Sequence, residues 1–359
     1  MQSKIRVAIA GIGNCASSFI QGISYYSASN SEDPIGLMYT SLGGYTVGDI
    51  ELVAAFDVDA RKVGKDVAEA IFAAPNCAKK FCDVSTTGVI VDAAPVLDGV
   101  APHMLDTMVQ ISTIPACNVA GVLRASGAEM LICYLPVGSA AAARFYAEQC
   151  LLAGVGFINA IPEFICSDDD WIHRFKDKGL PCAGDDIKSQ VGATILHRVI
   201  ARLIYDRGQI IDSTYQLNIG GNADFYNMID EARLISKRKS KTQAVTSILE
   251  GDIKVKIGPS DYVEYLQDNK VCYINIKGRQ FGNVPFEVDV KLSVEDSPNS
   301  AGVMVDVVRT MKLALDNGIS GNLEAISACA FKSPRTQYRD EVAMKMLEDF
   351  INNPRLVSH

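Results

Sequence analysis

The stretch RVAIAGIGNCASSF, Arg6–Phe19, constrains the fold more than any other part of the chain. A strand-like apolar run, Arg6–Ala10, leads directly into Gly11-x-Gly13-x-x-Ala16, and a helical pattern, Ser17–Tyr25, follows. In a strand–turn–helix of this kind the first glycine allows the tight turn and the second lets a pyrophosphate approach the backbone. The third small residue lets the helix sit close on the strand, with its N-terminus facing the phosphates. The element predicts a dinucleotide site containing Gly11, Gly13, Asn14, Cys15 and Ala16. Asp57 ends the next strand-like run, ELVAAFD, where a carboxylate can bind both ribose hydroxyls and repel a 2′-phosphate, so the expected cofactor is NAD. Its distance from the loop is about twice the usual ~20 residues. The polar, Gly-rich stretch Ser27–Gly48 reads as the insertion that takes up the excess.

Further strand-like runs, Leu52–Phe56, Val89–Val91, Met130–Cys133, Gly156–Ile158 and Pro181–Ala183, alternate with helical patterns. Such alternation predicts a parallel sheet with helices on both faces. Near residue 190 the character changes. A long helix is expected over Thr194–Arg207, and then β patterns at Thr214–Ile219, Asp252–Ile257, Val271–Ile276 and Phe286–Val294 follow without regularly interposed helices. That reads as an antiparallel sheet in an α+β insertion. Helical patterns at Ser300–Asn317 and Glu341–Ile351 are expected to pack back on the first unit. The fold class is therefore α/β, a Rossmann-like doubly wound parallel sheet (1–191) with an inserted α+β unit (192–299) and a returning C-terminal segment (300–359).

With 34 basic against 42 acidic residues the formal charge is −8, so no overall basic field favours nucleic acid or an anionic membrane, and any phosphate site must be local. Ten cysteines without CxxC pairs read as reduced thiols of a cytoplasmic protein. The sequence has neither a cleavable leader pattern nor a run of about 18 uninterrupted apolar residues.

An ordinary dehydrogenase would use a His–carboxylate pair or a metal. The four histidines, His103, His173, His197 and His359, suggest core or surface roles instead. Polar constellations are built on Lys, Asp and Asn: AGDDIKSQVGAT (Ala183–Thr194), LNIGGNADFYNM (Leu217–Met228), RLISKRKSKTQAVTS (Arg233–Ser247), LQDNKV (Leu266–Val271), VEDSPNSAG (Val294–Gly302) and AFKSP (Ala330–Pro334). Taken in order with GIGNCASS, FDVD, YLPVGS and GPSDYV, they resemble the myo-inositol-1-phosphate synthase family in its shorter bacterial and archaeal form, over essentially the whole chain.

The resemblance implies isomerisation of D-glucose 6-phosphate to 1D-myo-inositol 3-phosphate, with NAD reduced and reoxidised in each turnover, in a cytoplasmic homotetramer. It places the catalytic lysines at Lys237, Lys241, Lys270 and Lys332, with Asp186 and Asp296 orienting them. Asn218 and Asp224 would hold the nicotinamide end or, at Asp224, a monovalent or divalent cation. Ser189 and Gln190, opening the following helix, would cradle phosphate with Lys241 as counter-charge. Leu135, Pro136 and Ser139 in YLPVGS, with Asn159 after the fifth strand, would line the nicotinamide side. Clustered lysines suit this chemistry, because each ammonium lowers its neighbours' pKa and lets one act as base while others donate to developing oxyanions. The other readings of the residues are a net-redox dehydrogenase of a sugar or polyol phosphate, and an NAD-binding regulator, for which the lysine set would have no use.

Overall fold

The computed structural model describes residues 4–28, 34–230, 233, 235–249, 251 and 253–355. The first half runs β1 (Ile5–Ala10), α1 (Asn14–Ala28), β2 (Ile50–Asp57), α2 (Val67–Ala70), β3 (Val91–Ala93), α3 (Val119–Ser126), β4 (Met130–Cys133), α4 (Ala140–Ala153), β5 (Gly156–Asn159), α5 (Asp169–Asp177) and β6 (Pro181–Gly184). An excursion follows: α6 (Ala193–Asp206), β7 (Ile210–Gly220), α7 (Ala223–Asn227), α8 (Ile235–Thr246), β8 (Lys254–Tyr262), β9 (Asn269–Gln280) and β10 (Val284–Glu295). The chain then returns through α9 (Asp296–Asp316), β11 (Gly321–Asn322), α10 (Glu324–Ala330) and α11 (Asp340–Asn352). Among the described residues no helix is long and apolar enough to cross a membrane.

β1–β6 and β11 form one parallel sheet in the order β11-β6-β5-β4-β1-β2-β3. The strand order reverses between β1 and β4, so their C-terminal ends diverge into a crevice, the place where open α/β sheets bind ligands. Near-continuous apolar runs make the central strands, because both faces are covered. Ile5, Val7 and Ile9 pack against α1 and the returning α9, while Ala8, Ala10 and Phe56 pack against α3 and α4. β11 lengthens the sheet beside β6, which brings this part of the C-terminal segment against the first sheet. Arg309 of α9, fully buried, pairs with Asp306 and donates to the carbonyls of Tyr39, Thr40 and Tyr45, which pins the described part of the Ser27–Gly48 insertion to the sheet's helical layer.

The excursion builds a second sheet in the order β10-β9-β7-β8. Here the antiparallel expectation needs correcting, because β7 and β8 are parallel while the other two pairings are antiparallel. The polar stretch between β7 and β8 folds as α7 and α8, and a crossover of that kind delivers the chain back in the same direction. Its lack of an apolar stripe hid those helices. The predicted strand start at Asp252 lies outside the described residues, as does His359.

α6 covers the inner face of the second sheet, with Ala201 and Ile204 against Ile211, Cys272, Ile274 and Ile276. Two polar residues fasten it. Arg198 reaches Asp340 of α11 (2.8 Å) and the carbonyls of Ala244 and Tyr338. His197, fully buried, lies 2.8 Å from Thr214 Oγ1 and 3.2 Å from Gln216 Oε1 of β7, a core histidine as its apolar setting suggests. Burial pushes His197 down to about 4, against a partial opposing effect of Gln216. Below the ordinary value of 6.5 an unfolded chain takes up a proton that the native imidazole refuses. Stability should therefore fall as pH drops from about 6.5 to about 4, by about 1.4 kcal/mol per unit from this group. Urea unfolding across that window checks it: His197→Gln should remove this part of the slope, and an unchanged slope would refute the assignment.

Candidate active site

The glycine loop sits where the crevice opens. Gly11 has φ +91°, and a Cβ there would lie 2.6 Å from the Tyr134 carbonyl oxygen, so the turn requires glycine for both reasons. A Cβ on Gly13 would meet nothing within 4 Å: its absence keeps clear the space a pyrophosphate needs. Ala16 is fully buried between helix and sheet. Asp57 binds the loop itself, Oδ2 accepting from the Ile12 amide (2.8 Å) and Oδ1 from Val58 (2.7 Å) and Asp59 (2.9 Å). Lys62, which sequence reading passed over as a lone lysine, is buried beneath the loop and donates to the Ile12 carbonyl (2.8 Å). The Asn14 side chain accepts from the amides of Cys77 (2.7 Å) and Ala78 (3.0 Å), laying the segment after α2 against the start of α1. These residues fit a bound dinucleotide.

From this loop a cavity extends toward the second sheet, walled by Gly13, Asn14 and Cys15, by Leu135 and Pro136 after β4, and by all four predicted lysines. Burial, then Asp296, Asp268 and Asp224, push the Cys15 thiol up to about 12, so it meets the cavity as a neutral group. Ser139 and Asn159 do not line the cavity. Ser139, at the start of α4, is buried and donates to the Pro136 carbonyl (2.5 Å), which shapes the turn. The buried Asn159 amide is spent on Asp185 (2.7 Å) and the Glu163 carbonyl (2.5 Å).

The lysines come from three places: Lys237 and Lys241 one turn apart on α8, Lys270 on β9, and Lys332 just after α10. Asp186, whose residue φ is +61°, lies at their centre. Its Oδ1 accepts from Lys332 Nζ (2.9 Å) and lies 3.9 Å from Lys237 Nζ, while Oδ2 accepts from Ser240 Oγ (2.7 Å). Burial alone would raise this carboxyl, but the Lys332 and Lys237 ammonium groups and the hydrogen bonds override it and hold it at about 2. Lys237 also faces Asp224 (3.6 Å), and although burial opposes charge there, Asp224, Asp186 and Asp296 raise it above the ordinary lysine range. Lys332 moves the other way, lowered by burial and by Lys237 and Lys270 despite Asp186. Lys270 is paired with Asp296 at the start of α9 (3.0 Å). Lys241, 4% exposed, has no hydrogen-bond or ion-pair partner among the described residues, and burial with Lys270, Lys237 and Lys332 pushes it well below its ordinary value.

Lys241, Lys270 and Lys332 also reach a small recess lined by Ser189, Gly192, Ala193 and Thr194 at the N-terminus of α6, with Asn218 beside them. Ser189 of the expected phosphate cradle lies in this recess, whereas Gln190 does not line it. Gln190 points away: its amide donates to the Gly36 carbonyl (2.7 Å), and the side chain packs where a Cβ on Gly302 would strike it at 2.4 Å. Asp224 does not fit a protein-built metal centre either. Its carboxylate faces Lys237, and among the described residues no three His, Cys, Asp or Glu converge to hold an ion.

Asp268, within the LQDNKV stretch but not singled out beside Lys270, binds the walls together. Fully inside, it accepts from Asn222 Nδ2 (3.1 Å), which caps α7, and from the Ser297 hydroxyl (2.8 Å) on α9. Lys79, which looks like an ordinary surface lysine, pairs with Glu295, the residue before Asp296 (2.9 Å).

Residues 192–297 match the family model described as Myo-inositol-1-phosphate synthase. Over 356 residues the chain is 52% identical to the inositol-3-phosphate synthase of Mycolicibacterium smegmatis, covering 97% of this chain and 98% of that one. It is likewise 52% identical to that of Corynebacterium glutamicum over 358 residues, with the same shares. Among solved structures, Ari2 superposes with a TM-score of 0.79 at 32% identity, covering 98% of this chain and all of that one. Inositol-3-phosphate synthase of Caenorhabditis elegans shares the fold, with a TM-score of 0.79 at 16% identity over 98% of this chain and 86% of that one. A cavity walled by a dinucleotide loop on one side and four lysines on the other, in a chain half identical to these enzymes from end to end, belongs to the myo-inositol-1-phosphate synthase family.

Proposed function

We infer that the chain isomerises D-glucose 6-phosphate to 1D-myo-inositol 3-phosphate with no net redox change. The observation that carries this is the convergence of four lysines, from three separate elements, on a cavity that also opens onto the glycine loop. NAD binding alone would need none of them. Held by the Gly11–Ala16 loop and Asp57, NAD would supply reversible hydride exchange at C5 of the sugar, and C6 is acidic while C5 is a ketone.

The residues divide the remaining work. Lys270, aligned by Asp296, accepts the C5 hydroxyl proton, and Lys237, held charged by Asp224 and Asp186, steadies the oxygen at C5. Lys332, lowered by burial and by its cationic neighbours, removes the proton from C6. The C6–C1 bond then forms, Lys332 returns its proton to the new alkoxide at C1, and Lys270 returns its own to O5 as the hydride comes back. Lys241, without a counter-charge, supplies one for the phosphate, together with the Ser189–Thr194 recess and Asn218. The four-stranded sheet would join the subunits of a homotetramer: β10 ends it, and Phe281 beside that strand is 99% exposed. Ten free thiols accord with a reducing cytoplasm.

Substoichiometric NAD should support many turnovers, with inositol phosphate far exceeding NAD and no accumulation of reduced nicotinamide. Stoichiometric NADH would promote the sugar-phosphate dehydrogenase instead. Lys270→Ala should lose about 10²-fold or more in turnover with NAD affinity nearly intact, whereas Lys241→Ala should lose more through KM for glucose 6-phosphate. Folded Lys237→Ala and Lys270→Ala proteins each retaining more than about half of wild-type turnover would return the cluster to a merely solvated role. Lys345, whose partner Asp349 lies on its own helix, makes a better control than Lys79. Asp57→Ala should weaken NAD binding and relax discrimination against NADP. A binding titration with an unchanged NAD/NADP ratio would assign the ribose to another residue.

A further inference from the structure

Asp186 faces two lysines that the chemistry asks to behave differently, and a third residue sets which oxygen serves which. Ser240, fully buried on α8 between Lys237 and Lys241, donates to Asp186 Oδ2 (2.7 Å), and Ser333 Oγ donates to Ser240 Oγ (2.8 Å). A carboxylate can only accept, so the single proton of Ser240 must point at Asp186 and its lone pair at Ser333. The directions along the chain Ser333→Ser240→Asp186 are thereby fixed. Backbone bonds hold the two ends in register: the Lys332 amide donates to the Asp186 carbonyl (2.8 Å) and the Ser333 amide to that of Asp185 (3.0 Å).

We propose that Ser240 is a positioning residue for the reaction: with Ser333 behind it, its hydroxyl turns Asp186 so that the other oxygen is committed to Lys332. This rests on the isomerase reading above. Without that hydroxyl, Oδ2 is left buried and unsatisfied, and two ammonium groups remain to face the carboxylate, Lys332 at 2.9 Å and Lys237 at 3.9 Å from Oδ1. The carboxylate is then free to turn partly toward Lys237, and Lys332 keeps the Ile187 carbonyl (2.6 Å) but loses its aligned charge partner. Lys332 also feels Lys237 and Lys241 from α8, Lys270 from β9, Asp296 from α9 and Lys188 from the segment before α6. With Asp186 drawn away, cations dominate that set and its charged form is less favoured.

The test is the pH profile of kcat, with KM and thermal melting measured alongside, in wild type, Ser240→Ala and Ser333→Ala. Ser240→Ala should lose roughly tenfold in kcat while KM for glucose 6-phosphate stays within about twofold. The acid limb, which reports the group that must be neutral to act as base, should move down by about half a pH unit. Ser333→Ala should shift the limb the same way by less. A limb that stays in place or moves up in folded Ser240→Ala, or a loss that lies wholly in KM, overturns the proposal. Should Ser240→Ala fail to fold, Ser333→Ala decides, and an unmoved limb there overturns it equally. Wild-type protein that forms no inositol phosphate would instead remove the isomerase reading, and this proposal with it.

Discussion

Four ammonium groups facing one cavity repel one another, and burial strips them of the water that would screen the repulsion. What makes the cluster tolerable is the carboxylate of Asp186, kept charged at the centre by Lys332, Lys237 and Ser240. Asp296 and Asp224 repeat the device at the edges, one for Lys270 and one for Lys237. The same arrangement gives the lysines different characters. Lys237, among three carboxylates, is held as an ammonium, whereas Lys332, with two cationic neighbours, is eased toward the free base. On the proposed mechanism one residue type would thus cover both acid and base work.

The fold brings these groups together from distant parts of the sequence. Asp186 and Ser189 follow the last long strand of the first sheet, Lys237 and Lys241 ride the crossover between β7 and β8, and Lys332 arrives only after the chain has come home through α9 and α10. Asp268 ties the start of α9 to the cap of α7, so the walls bearing Asp296 and Asp224 are fixed relative to one another.

Much of this was legible in the sequence. Met130–Cys133 was read to the residue and the other strands of β1–β6 within a few positions, because buried parallel strands are short apolar runs between turn signals, whereas β11, two residues long, was not read as a strand. The glycine loop carried its own structural context. The parallel β7–β8 pairing was not legible, since α8 bears lysines and serines where an apolar stripe would announce a helix. The lysines were found only through family resemblance, for spacing cannot bring Lys237 and Lys332 to one carboxylate. Gln190, Ser139 and Asn159 were placed correctly along the chain, but which way a side chain turns depends on partners such as Gly36, Pro136 and Asp185 that no local pattern reveals. Ser240 and Asp268 lie in quoted polar stretches but were not singled out, because buried hydroxyls and carboxylates look like surface ones until the fold surrounds them.

Lys241 leaves the electrostatics of the cluster unfinished. Buried beside three other lysines and without an ion-pair partner among the described residues, it is pushed toward its uncharged form, and on the proposed mechanism a phosphate dianion arriving there would give it back its charge. That part of recognition answers to charge and size, not to the sugar. If Lys241 holds the phosphate as proposed, inorganic phosphate and sulfate share the attraction, and the enzyme's grip on its substrate in a cell then depends on the surrounding pool of small dianions as well as on the hexose itself.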